Sequence, residues 1–295
     1  SQTLKGVVLS GAWASGGNVN TDRYGSAGSG TQTAGLMAAG FNNTSGAENK
    51  SEEYNGTAWT NAPTLNTGRM YVAGSGTQTA SLASNGDQYP SPRFSNLVEE
   101  YNGSSWTAQT VSPVSIKDPG SCGIQTATLI FGGQASPGNT NTTQLYNGSS
   151  WTNTGHNLNT ARKSLRGAGT TTAALAVGGP PAGSTAVEEY NGSSWTSVTS
   201  TPAPFGGQSS GGSQTAALMF GGWTPPGGYS TTTNSYDGTN WSAQPSLSLG
   251  RAFADIGPVG TSSSTMIFSG AYAPGNTSAT EEFTVAATTK TFTTS

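Results

Sequence analysis

One short phrase recurs along this chain and limits what it can fold into. Glu52–Thr60 reads EEYNGTAWT, and Glu99–Thr107 and Glu188–Thr196 both read EEYNGSSWT. Tyr54, Tyr101, Tyr146, Tyr190 and Tyr236 each stand five residues before a tryptophan, namely Trp59, Trp106, Trp151, Trp195 and Trp241. The tyrosine steps are 47, 45, 44 and 46 residues. A self-similar period of about 20 to 50 residues denotes a solenoid, a propeller or an array. A further copy opens at Glu281-Glu282-Phe283, but Thr288 stands where its tryptophan would fall.

One period contains four strand-like pieces. In residues 161–196, KSLRGAG is small and glycine-rich, and TTAALAVGG is apolar and ends in a glycine pair. AVEEY alternates, and SSWTSV follows Asn191-Gly192. Asn-Gly between strand-like runs predicts a tight hairpin of type I′, with positive φ at both central residues. The phrase GSGTQT at 28–33 and 74–79 predicts a second tight join, between the first two pieces. Four short antiparallel strands in about 45 residues make one propeller blade. Glycine in the first strand lets inner strands crowd the axis, and the Tyr–Trp pair fills the wider wedge between blades. With 8% charged residues, 43 Gly and 26 aromatics, the composition suits short strands and turns rather than helices or disorder.

Strand, strand ending Gly-Gly, strand ending Tyr, hairpin and Trp together resemble the kelch repeat. The glycine pair stands at Gly132-Gly133, Gly178-Gly179 and Gly221-Gly222, and is degraded to AAG at 38–40, SNG at 84–86 and FSG at 268–270. The resemblance spans essentially the whole chain and implies a kelch-like β-propeller; kelch propellers serve many functions. Phrases such as YNGSSWT and QTAALMFGG are similar to propeller repeats in structural proteins of tailed bacteriophages and environmental viruses.

The missing tryptophan is found at the other end. Residues 12–40 align without a gap on 58–86, placing Trp13 on Trp59 and Arg23 on Arg69. Trp13 is thus the sixth tryptophan, and the N-terminal strand completes the blade that ends at Phe283. The expectation is an all-β, six-bladed propeller of four-stranded antiparallel blades over 1–295, with six copies of each strand. Its repeats run over 14–59, 60–106, 107–151, 152–195, 196–241 and 242–295 plus 1–13. Ring closure by strands from both termini removes free edges. Two points stay open: Val7-Val8-Leu9 is a candidate extra third strand, and the tail 288–295 could lie beside or replace the Trp13 strand.

The inventory for catalysis is thin. His156 and Cys122 are single, so no zinc site of the usual type, no copper-oxidase ligand set and no internal disulfide can be built, and no cofactor is expected. The acidic pairs Glu52-Glu53, Glu99-Glu100, Glu188-Glu189 and Glu281-Glu282 suggest glycosidase carboxylates. Neighbours on a strand, however, point to opposite faces, so a structural role is expected. SYDGTNW at 235–241 is close to a sialidase Asp-box, but is read as the same hairpin with Asp237 for Asn. The sequons at Asn55, Asn102, Asn147 and Asn191 are likewise turn residues. With 11 basic and 14 acidic residues there is no footprint for nucleic acid, and no apolar run is long enough for a membrane span. The chain begins at Ser1 rather than Met, which is compatible with a removed leader.

Variation concentrates in the loops between second and third strands, which emerge on one face. Phe41, Tyr89, Arg93, Phe94, Trp223, Tyr229 and Tyr272 lie there as candidate ligand-binding residues. Exposed aromatics beside polar groups suit sugar rings. The expected function is therefore a non-enzymatic recognition propeller, extracellular or on a virion as a tail-fibre or appendage part. Its expected partners are a glycan or host-surface receptor and other virion or appendage proteins. The alternatives are a purely structural virion or filament subunit, and a glycoside hydrolase or lyase.

Overall fold

The computed structural model describes residues 3–180, 184–224 and 227–293, with strands and no helices. Blade one comprises Ser26–Thr31, Ala34–Ala38, Ser51–Tyr54 and Trp59–Ala62. Blade two comprises Ala73–Gly76, Ser81–Gly86, Ser95–Tyr101 and Trp106–Ala108, and blade three Gly120–Ile124, Ala127–Phe131, Thr143–Tyr146 and Trp151–Asn153. Blade four comprises Arg166–Gly169, Ala174–Val177, Val187–Tyr190 and Trp195–Ser197, and blade five Ser209–Ser213, Ala216–Phe220, Thr233–Tyr236 and Trp241–Gln244. Blade six is built from Ser264–Phe268, Thr280–Thr293 and, from the other end of the chain, Thr3–Ser15.

The ring closes as expected. Trp13 pairs in register with Phe283, and its ring lies 5.2 Å from Phe283 and 5.0 Å from Phe220 of blade five. The five Tyr–Trp pairs stack at 4.8–5.0 Å. Each tryptophan packs on the second strand of the preceding blade, as Trp59 does on Phe268 and Trp195 on Phe131. The open points resolve together. Val7, Val8 and Leu9 pair with Thr289, Thr288 and Ala287, so neither end adds a separate strand. Both extend existing strands as one two-stranded ribbon; 294–295 lie outside the described residues.

Two expectations need correction. The sixth first strand is reduced to Asp255–Ile256, which pairs parallel with Ser26–Ala27 of blade one. The segment Asp255–Gly260 is longer than its counterparts and contains Pro258. It leans on both neighbours instead, with Val259 N donating to Ser210 O at 3.0 Å and Gly260 N to Gly30 O at 2.9 Å. Second, the Asn-Gly hairpins are not type I′. Four residues separate Tyr54 from its partner Trp59, and only Gly56 has positive φ. The asparagine acts through its side chain: Asn55 Oδ1 accepts from Thr57 N and Ala58 N, both at 2.9 Å. Asp237 Oδ1 does the same with Thr239 N and Asn240 N.

The acidic pairs are structural, and their two members serve different contacts. Glu52, Glu99, Glu188 and Glu281 are buried against Arg23, Arg69, Arg162 and Arg251, at 2.5–2.9 Å. Each arginine also donates to main-chain carbonyls, as Arg69 does to Asn85 O and Leu97 O. The second glutamates face the next blade instead, as in Tyr101 OH donating to Glu53 at 2.8 Å.

Candidate functional site

The loops leading into each first strand turn at the axis through a left-handed residue. These are Gly25, Tyr71, Asp118, Ser164, Gly207 and Phe253, with φ of 52° to 66°. Their peptides form a closed hydrogen-bonded ring. Gly25 N donates to Phe253 O at 2.5 Å, Phe253 N to Gly207 O at 2.6 Å and Gly207 N to Ser164 O at 2.8 Å. Ser164 N donates to Asp118 O at 3.0 Å, Asp118 N to Tyr71 O at 3.1 Å and Val72 N to Gly25 O at 3.3 Å. A non-glycine residue in this region costs about 1–2 kcal/mol, and four of the six bear side chains. The ring therefore fixes Tyr71, Asp118, Ser164 and Phe253 rigidly at the centre of one face.

Around that ring the loops between second and third strands rise as a wall. Two cavities, of about 540 and 460 Å3, share Tyr24, Tyr71 and Phe253. The larger is also lined by Phe41, Tyr89, Arg93 and Trp223, and the smaller by Tyr229 and Tyr272. Six of the seven candidate residues thus meet at one axial bowl. Phe94 lines neither cavity; its ring sits under the Lys117 ammonium at 5.3 Å. Tyr89, Trp223, Tyr229 and Tyr272 are the large aromatics exposed to solvent among the described residues, and all four stand here. Short hairpins hold three of them: Trp223–Thr224 pairs with Gly228–Tyr229, and Ala271–Tyr272 with Gly275–Asn276. Edge contacts tie wall to floor, with Phe41 5.5 Å from Tyr24 and 5.6 Å from Tyr89. Tyr71 lies 5.8 Å from both Tyr24 and Phe253.

Charge sits on one side. The buried Asp87 carboxylate accepts from Arg93 Nε at 2.9 Å and Lys117 Nζ at 2.8 Å, and Arg93 lies over the Tyr89 ring at 5.3 Å. Lys163 Nζ donates to Gln134 Oε1 at 3.2 Å. Asp118, at the floor, accepts from Arg166 Nη1 at 3.2 Å and from the Ser164 hydroxyl. Burial raises its pKa, and Arg166 opposes the shift. Burial, with the Asp118 charge second, drives the Tyr71 phenol far above its ordinary range, so it remains a proton donor at any physiological pH. Beneath the floor, Asp255 accepts from Ser209 Oγ, and Arg166 Nε donates to Asp255 O at 3.2 Å. The bowl offers ring faces for stacking, phenol and ammonium donors, and one engaged carboxylate. Among the described residues no group of three His, Cys, Asp or Glu is placed to hold a metal ion.

Sequence reasoning missed Tyr24, Tyr71, Phe253, Lys117 and Lys163. The signal was present, since Tyr24, Tyr71 and Phe253 follow the aligned arginines Arg23, Arg69 and Arg251 by one or two residues. That places them at the turn nearest the axis.

Fold and site together define a six-bladed β-propeller with an aromatic axial bowl. Among solved structures, the chain is similar to one described as the structure of YjhT, with a TM-score of 0.75 at 14% identity, over 92% of this chain and 99% of that one. That likeness is one of fold. No family model matches the chain, and no curated protein matches it. No helix among the described residues is long and apolar enough to cross a membrane.

Proposed function

We propose that this protein is a non-enzymatic recognition propeller that binds a glycan, or another cell-surface ligand, in the axial bowl. The observation that carries the reading is the gathering of the exposed aromatics Tyr89, Trp223, Tyr229 and Tyr272 at one concave site on a rigid floor. A contiguous group of exposed rings marks an interaction site where scattered ones do not, and flat apolar faces beside donors suit pyranose rings. The kelch-like repeat and the similarity of its phrases to viral propeller repeats support a place on a virion or extracellular appendage. There the bowl would face a host-surface receptor while other appendage proteins hold the remaining surface.

One observation favours a hydrolytic reading: Asp118 and Asp255 come from different blades and both meet Arg166 near the bowl floor, Asp118 through its carboxylate and Asp255 through its main-chain carbonyl. Both carboxylates already accept from serine hydroxyls, and Asp255 does not line the bowl. Recognition is therefore the stronger reading.

A glycan array probed with wild type and Trp223→Ala tests it. Loss of one stacking ring, worth about 1 kcal/mol, should weaken retained glycans roughly five- to tenfold. An array on which wild type retains no glycan overturns the reading. Release of free sugar by wild type and not by Asp118→Asn would replace it with hydrolysis.

A further inference from the structure

Glutamine stitches join most of the blades. Gln32, Gln78, Gln125 and Gln214 sit in the hairpins between first and second strands. Each side-chain amide donates to the carbonyl of the third-strand aromatic in the preceding blade. The acceptors are Phe283 at 3.1 Å, Tyr54 at 2.7 Å, Tyr101 at 2.7 Å and Tyr190 at 2.8 Å. Three of the amides also reach a second-strand carbonyl, of Gly35, Ser81 or Ala174, at 3.0–3.1 Å. At these same four seams a tyrosine hydroxyl donates to the preceding blade's second glutamate: Tyr54 to Glu282, Tyr101 to Glu53, Tyr146 to Glu100 and Tyr236 to Glu189.

Two seams lack both links. Between blades three and four, Thr171 replaces the glutamine and Leu145 the glutamate, and Leu145 packs against the neighbouring apolar cluster. Between blades five and six the substitutions all remove bulk or polarity: Ser262 for glutamine, Ser235 for glutamate and Phe283 for tyrosine. This seam is open. A groove of about 360 Å3 runs between Leu218, Tyr236, Phe283 and Val285, with Ser235 and Ser262 beside them. A second hollow of about 290 Å3 shares Ala216 and Ser262 with it. Leu9 forms an apolar lip, 69% exposed, the most exposed of the chain's large hydrophobic side chains among the described residues.

We propose that this seam is a docking slot for a glutamine-bearing turn of a partner polypeptide. The molecule itself shows what fits, because its four stitched seams hold that group in the equivalent space. The counterpart carbonyls here are those of Ala217 and Tyr236, paired across their strands as Gly35 and Tyr54 are in blade one. A primary carboxamide supplies two N–H donors to two carbonyls, whereas a carboxylate supplies none. An apolar residue beside the partner's glutamine would cover Leu9. The slot is distinct from the bowl, so its test is independent of the recognition reading.

The first measurement supplies the amide from within. Ser262→Gln should form the fifth stitch and raise Tm by about 2 °C or more, while Ser262→Glu should not. The second uses a cyclised peptide copying residues 74–81, GSGTQTAS, followed by methyl NMR at Leu218 and Val285. Wild type should show saturable shifts. The same peptide with Glu for Gln should bind at least tenfold more weakly, and Ser262→Gln, whose slot is filled, should not respond. A Ser262→Gln protein no more stable than Ser262→Glu overturns the proposal. So does a peptide that shifts wild type and Ser262→Gln alike, or shifts neither.

Discussion

Asp255 is fully buried beside the axis, and one of its oxygens has no hydrogen-bond partner. Burial raises its pKa to about 7, against the opposing effects of the Ser209 hydroxyl, Arg166 and Arg251. In the unfolded chain it titrates near 4. Between those values the native state binds the proton and the unfolded state does not, so stability falls as pH rises through this window. Asp255→Asn should remove that slope. The difference in Tm between variant and wild type should therefore grow in the variant's favour from pH 5 to pH 8. A difference that stays constant over that range would mean that Asp255 is already ionised in the fold. Residue identity matters less at another position. The first residue of each glycine pair has positive φ in all six blades, including the degraded copies, where Ala39, Asn85 and Ser269 adopt 58° to 62°. The geometry persists because the next N–H must reach the following blade, as Gly40 N reaches Arg69 O at 2.7 Å.

Within a blade, the buried arginine and the first glutamate are present or absent together. Blade three has Ile116 and Gln144 at those positions, and blade five has Phe205 and Asn234. Electrostatics explains the coupling. Removing one partner strands a buried charge at a cost of about 3–5 kcal/mol, whereas replacing both is often neutral. Glu99→Gln should therefore lower unfolding free energy by about 3 kcal/mol, and Arg69→Ile with Glu99→Gln should restore most of it. Denaturant unfolding of both variants measures this; a double variant no better than the single one would rule the coupling out. The blade itself was legible in sequence because its spacing is local. The role of the acidic pairs was only half legible: alternation predicted that the two members part. Their partners lie on a loop of the same blade or on another blade, from 26 to 228 residues away in sequence, and the strand pattern does not name them.

Across the whole wheel, a second backbone bond, outside the hub ring, repeats at every seam. Gly40, Gly86, Gly133, Gly179, Gly222 and Gly270 each donate to a carbonyl of the next blade at 2.7–2.9 Å. The side-chain links are uneven, leaving blades four and five as one stitched arc and blades six, one, two and three as another. At the hub, Asp118–Arg166 spans one unstitched seam and Ser209–Asp255 the other. The two arcs should open against each other, so the Gly133 and Gly222 amides, which cross the unstitched seams, should exchange faster than the other four. Equal protection at all six would refute the division. The bowl draws residues from both arcs, with Lys163 and Trp223 from one and Tyr71 and Tyr89 from the other. The sequence by itself determined the blade, the number of blades and the closure through Trp13, because each follows from a spacing that repeats along the chain. Only the tertiary structure decided the hub ring, the displaced Asp255–Ile256 strand, the floor of the bowl and the open seam. These depend on side chains and carbonyls from different blades meeting in space, and no local period records which of them meet.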